Sequence, residues 1–323
     1  MTEPGHPGDP SRGAAALALV APLLFASGAC ALAYQMAWTR EFRLVFGAST
    51  AASAAVVAVF MGGLGLGGWL IGSRADRRPN PLLFYARLEA LVATTAAVTP
   101  GLLALVRQAY IGLGGTAALG PQLGTLARLT LAGLVLFVPT VLAGGTLGAA
   151  ARAVEVEGDA PRRATAVLYG VNAMGAVAGC LATTFFMLET FGTRRTLWLA
   201  SLINLLVALG AGALARARGM DLVSPVTGEG PTADRAAAAS PRFVLAAAAV
   251  VGFAFFLMEL VWYRMLGPIL GGTVYTFGLV LAVALAGIAI GGLAYPFVVG
   301  QRAPTLTAFA VSCLAEAACL AVP

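Results

Sequence analysis

Apolar residues follow one another along this chain in blocks too long for a globular core and too continuous for strands. About 20 apolar residues cross the hydrocarbon of a bilayer. That ruler marks nine candidate spans, at roughly 14–38, 50–72, 82–106, 123–150, 164–188, 196–215, 243–266, 273–299 and 304–323. Pro100 and Pro139 interrupt the third and fourth. The pattern predicts an all-α, polytopic transmembrane bundle of about nine spans. Residues 1–13 form a polar tail. Segment 216–242 changes character, placing Arg216, Arg218, Asp221, Glu229, Asp234 and Arg235 among Gly, Pro and Ser. It reads as a cytoplasmic linker between a first unit at 14–215 and a second at 243–323.

Composition strengthens the membrane reading. Apolar residues make up 59% of the chain and charged ones 11%, against about 25% charged in ordinary soluble domains. Too few polar side chains remain to cover a water-facing surface, so the expected partner is the lipid bilayer. Every basic residue is an arginine, and these sit singly or in pairs between apolar runs, which argues against a nucleic-acid stripe. With the N-terminus inside, twelve arginines fall on the cytoplasmic side and seven on the other, with Arg87 inside a span. That bias predicts a cytoplasmic N-terminus. No metal site is expected: the four cysteines lie in apolar runs without CxxC spacing, and the one histidine is in the tail. Neither a Ser/His/Asp nor a Cys/His constellation can be assembled.

Sliding the sequence along itself by 224 positions aligns Gly28 with Gly252, Trp38 with Trp262, Arg40 with Arg264 and Gly47 with Gly271. The same register pairs Gly63, Gly67 and Gly68 with Gly287, Gly291 and Gly292. One offset that holds over two helices and their loop indicates a duplication. Six spans separate equivalent positions, and an even number of crossings preserves orientation. The repeat is therefore parallel, as in the two halves of major-facilitator transporters. The loop Gly72-Ser-Arg-Ala-Asp-Arg-Arg78 resembles the acidic–basic loop of that superfamily, with Asp76 and Arg77 at the matching gating positions. The second copy stops after its third helix, and residues 317–323 carry no polar tail, so the chain is expected to belong to a longer polypeptide.

Four segments carry a closer resemblance: Ser27–Arg40 leading to Phe46-Gly47, Pro139–Leu147, Leu168–Gly179, and Glu259–Arg264. Together they resemble the membrane region of the fused major-facilitator/spermidine-synthase family. The resemblance implies a bundle in a bacterial inner membrane, fused to or associated with a soluble polyamine aminopropyltransferase domain, with a polyamine as ligand. It does not extend to catalysis in this chain, because no strand–glycine-loop–helix unit is present and Gly62–Gly68 lie inside a span. No cofactor is expected.

Ionisable residues inside spans are costly and usually face a partner or a cavity. Glu259 takes the repeat position of Gln35. Glu89 and Glu316 occupy the third span of each copy and could bind a cationic amine, although pairing of Glu89 with Arg87 competes. Asn172 could touch a ligand or bond across helices. Trp38, Arg40, Trp262 and Arg264 are expected at the headgroup layer as anchors. Three readings stay open: an enzyme's membrane anchor that binds or passes a small amine, a secondary transporter of a small solute, and a non-transporting scaffold.

Overall fold

A computed structural model describes residues 10–46, 50–75, 77–112, 114–154, 160–217, 240–298 and 305–321. Every element among them is helical. They are α1 (Pro10–Phe46), α2 (Thr50–Gly67, extended by a π-helical turn Gly68–Gly72 and Ser73–Ala75), α3 (Pro81–Gly112), α4 (Gly115–Gly144), and α5 (Thr146–Val154). Then follow α6 (Ala160–Ala182, extended by a π-helical turn Thr183–Met187 and Leu188–Thr190), α7 (Gly192–Ala217), α8 (Pro241–Leu270), α9 (Val274–Val298) and α10 (Leu306–Ala321). Eight of these segments are long and apolar enough to cross a membrane; Leu306–Ala321, the ninth expected span, is shorter. Leu105, Ile269, Phe297 and Val298 are among many large apolar side chains left exposed. An apolar exterior of that kind is stable against lipid rather than water. Residues 218–239, most of the expected linker, lie outside the described segments.

Local signals set the helix starts. Asn80 accepts from the Leu83 amide at 2.9 Å, with Pro81 at the first helical position. Ser240 accepts from Phe243 at 3.2 Å, again with a proline next. Both use a short polar cap before a residue that has no amide to lose. Between α3 and α4 the chain reverses at Gly114 and Gly115, whose φ values of 85° and 53° suit only glycine.

Pro100 does not break its helix; α3 runs through it. A proline leaves the carbonyl four residues earlier without its amide donor. Here that carbonyl is Ala96, and the Thr99 hydroxyl donates to it at 2.7 Å. The Trp38 indole in turn donates to Thr99 at 3.0 Å. One relay repairs the helix and ties α1 to α3.

Small residues let the helices approach. α1 packs against α6, α6 against α9, α3 against α7 and α2 against α4. A Cβ on Gly175 would collide with the Phe25 carbonyl, and one on Gly67 with that of Val141. Such contacts are how membrane helices gain packing without a hydrophobic drive. Gly287 and Gly291, the expected counterparts of Gly63 and Gly67, have open space where a Cβ would sit. Replacing Gly175 by Val should push α1 from α6 and cost about 1–3 kcal/mol, as overpacking does. The check is the unfolding temperature of the purified protein against that of a Gly210→Val control, where a Cβ would make only ordinary contact with Leu23.

Candidate functional site

Helices from both sides of the linker enclose a cavity of about 320 Å³. α1 contributes Ser27 and Tyr34, α2 Phe60, α3 Glu89, α6 Tyr169 and Asn172, α7 Asn204, and α8 Phe255 and Phe256. Glu89 is 1% exposed. It accepts a hydrogen bond from Ser27 Oγ at 2.6 Å. Asn204 Nδ2 donates to the Glu89 backbone carbonyl at 2.9 Å, fixing that turn of α3 from α7. Tyr85 lies one turn earlier on the same face, its buried hydroxyl within reach of the Glu89 carboxylate.

Arg87 does not pair with Glu89. The two residues are two apart on a helix and so point to different faces; Arg87 is exposed while Glu89 is buried. No arginine lines the cavity among the described residues, so Glu89 alone supplies its formal charge. The same cavity is lined by the rings of Tyr34, Phe60, Tyr169, Phe255 and Phe256, the last two in edge-to-face contact at 5.3 Å. A carboxylate among aromatic faces matches an organic cation, whose charge meets the anion and whose remaining surface meets ring faces.

Several expected site residues lie elsewhere. Gln35 and Glu259 are fully buried but do not line this cavity. Glu316 is exposed and sits with Trp262 on a separate cleft between α8, α9 and α10. Asp76 lies outside the described residues, and Arg77 follows a turn in which its amide donates to the Arg74 carbonyl at 3.2 Å. Trp38 is not a headgroup anchor. It is 1% exposed and stacks on Tyr34 with ring centroids 5.6 Å apart. The reason is length: α1 continues to Phe46, so Trp38 lies two turns inside the helix. Arg40 is half-buried and donates to the Leu188 carbonyl at 2.6 Å, so it joins helices rather than reaching freely into water. Arg264 is exposed and Trp262 half-buried.

Ser27, Tyr85 and Asn204 were not singled out from sequence. Tyr85 had a signal, its spacing of four from Glu89 on one helix face. Ser27 and Asn204 are isolated polar residues whose role depends on which helices meet.

Beyond the cavity, on the side toward the C-terminal end of α1, the two units are fastened together. Arg43 donates to the Tyr263 hydroxyl at 2.6 Å and to the Gly272 carbonyl at 2.8 Å, and Tyr263 donates to the same carbonyl at 3.0 Å. Tyr275 donates to Glu189 at 2.6 Å. Arg43→Met should release the α8–α9 turn, with hydrogen exchange at Gly271–Thr273 rising by about tenfold or more, given roughly 1.5–3 kcal/mol for bonds to a charged group. Unchanged exchange there would mean that the turn holds itself.

No family model, curated protein or solved structure matches the chain.

Proposed function

We propose that this chain is the membrane bundle of a spermidine-synthase-like protein, and that its cavity binds and passes a small cationic amine. The observation that carries the proposal is the buried carboxylate of Glu89 on an aromatic-lined cavity that has no cationic side chain on its wall among the described residues. A lone carboxyl in a low-dielectric site either holds a proton or is balanced by a bound cation, and the rings favour a cation of organic character. The four sequence segments that resemble the fused family supply the polyamine class. In that reading the bundle anchors an aminopropyltransferase domain, with the N-terminus on the cytoplasmic, arginine-rich side.

Transport is favoured over simple anchoring by one further feature: the cavity draws Ser27 and Glu89 from one unit and Phe255 and Phe256 from the other. Sites between two helical units are where alternating access operates. Equilibrium binding of labelled spermidine to the purified protein tests the proposal. Putrescine should compete and 1,4-butanediol, its uncharged counterpart, should not. Absence of saturable binding, or equal competition by the diol, contradicts it. Uptake into proteoliposomes then separates transport from binding alone.

A further inference from the structure

Glu89 sits among neighbours that suit two protonation states. Its side chain is 1% exposed and accepts from Ser27 Oγ at 2.6 Å. The Tyr85 hydroxyl is within reach of the same carboxyl group. A hydroxyl donates to a carboxylate and equally accepts from a carboxylic acid. Both partners can therefore serve either form by turning an O–H bond, without any shift of α1 against α3. Burial makes the charged form costly when nothing balances it, and a lone buried carboxyl is then neutralised by a proton.

Among the described residues, no fixed cation supplies that balance from any helix around the cavity. From α1, Cys30 and Tyr34 lie within electrostatic reach of Glu89. A thiol and a phenol carry no charge near neutral pH. α7 brings Asn204, which is spent on the Glu89 backbone carbonyl at 2.9 Å. α6 adds one more phenol, that of Tyr169. α2, α4, α5, α8 and α9 give the cavity wall no titratable side chain. On α3 itself, Arg87 is exposed and points to another face.

We infer that Glu89 holds a proton and the amine by turns, so that the cavity gives up one proton for each amine it binds. The inference rests on the amine reading of this cavity. The arriving amine is an ammonium, because primary amines keep their proton to about pH 10. On binding, the O–H bond of the Glu89 carboxyl breaks and its proton passes to water. The carboxylate left behind pairs with the ammonium, whose N–H bonds stay intact. On release the ammonium departs and Glu89 regains a proton from water. For one ammonium group the swap leaves the net charge of the site unchanged, which avoids an unbalanced charge in a low-dielectric cavity. Glu89 is the one carboxyl on the wall among the described residues. Putrescine and spermidine should therefore each displace a single proton, whatever their total charge. Intramembrane carboxyls serve as proton relays in pumps and transporters, and here proton and amine would compete for the same oxygens.

The test counts protons. Spermidine is titrated into the purified full chain in weakly buffered detergent solution, with binding and a pH-indicator dye read together. The range runs from about pH 5 to about pH 8, where the amine stays charged. Release should be close to one proton per bound spermidine at the acidic end and fall as the pH rises. Over the acidic part, apparent affinity should rise about tenfold per pH unit, because each amine displaces one proton. Putrescine should give the same count, and Glu89→Gln at saturating amine should release none. Saturable binding without proton release at any pH overturns the inference and leaves the amine site standing. Release that persists undiminished in Glu89→Gln overturns it too, by assigning the proton to another group. Absence of saturable binding removes the amine site and the exchange with it. Should Glu89→Gln fail to fold, the wild-type count decides alone.

Discussion

Glu89→Gln should weaken spermidine binding by roughly 30-fold or more, with little change in the unfolding temperature. The factor corresponds to about 2 kcal/mol, the lower end for removing one partner of a buried, hydrogen-bonded charge pair. Gln keeps the shape of the side chain and can still accept from Ser27, so packing around it survives. What disappears is the negative charge, the only formal charge on the cavity wall among the described residues. Equilibrium binding to purified wild type and variant measures the difference. If Glu89→Gln binds spermidine as tightly as the wild type, the carboxylate is not the amine's partner. Ser27→Ala should have a smaller effect in the same assay, because it removes a neutral donor to the carboxylate and leaves the charge in place.

The largest effect on stability should come from Trp38→Ala, at about 3–5 kcal/mol, the cost of deleting a buried aromatic side chain. Three interactions end together. The indole is 1% exposed within the core that joins α1 to α2, α3 and α6. It stacks on Tyr34, which lines the same cavity as Glu89. It also donates to Thr99, whose hydroxyl serves the carbonyl left free by Pro100. Trp38→Phe should recover most of the packing but not the hydrogen bond, and so fall between wild type and Trp38→Ala. Unfolding monitored by tryptophan-independent circular dichroism in detergent gives the comparison. A headgroup anchor would lose far less on substitution, so a drop below about 1 kcal/mol would return Trp38 to the surface role that its sequence position suggested.

That contrast shows where sequence reading succeeds and where it stops. The apolar blocks gave the helices, because a span needs only length and hydropathy. The apolar run of α1 ends at Trp38, and Arg40, Glu41 and Arg43 follow it. The helix in fact continues through them to Phe46, with Arg40 and Arg43 bonded to carbonyls of α6 and the α8–α9 turn. Charge alone could not reveal acceptors supplied by other helices. Pro100 reads as an interruption in the sequence, and the compensating hydroxyl of Thr99 becomes recognisable only where Trp38 donates to it. Glu89 was legible as a buried ionisable group, and its separation from Arg87 follows from helix geometry. Its partners Ser27 and Asn204 come from α1 and α7, and no periodicity within α3 points to them. Glu316 has the same residue type in a similar sequence position, yet it lies exposed on a different cleft. Residue type proposes a site, and the packing partners decide whether there is one.

The most direct measurement is carboxyl labelling by dicyclohexylcarbodiimide, mapped to individual peptides by mass spectrometry, with and without spermidine. The account predicts that Glu89 is labelled in the absence of amine and protected by spermidine in a saturable way, while Glu316 is indifferent to it. Labelling of Glu89 that spermidine leaves unchanged, at concentrations where the amine binds the protein, would contradict the claim that this carboxylate holds the cation.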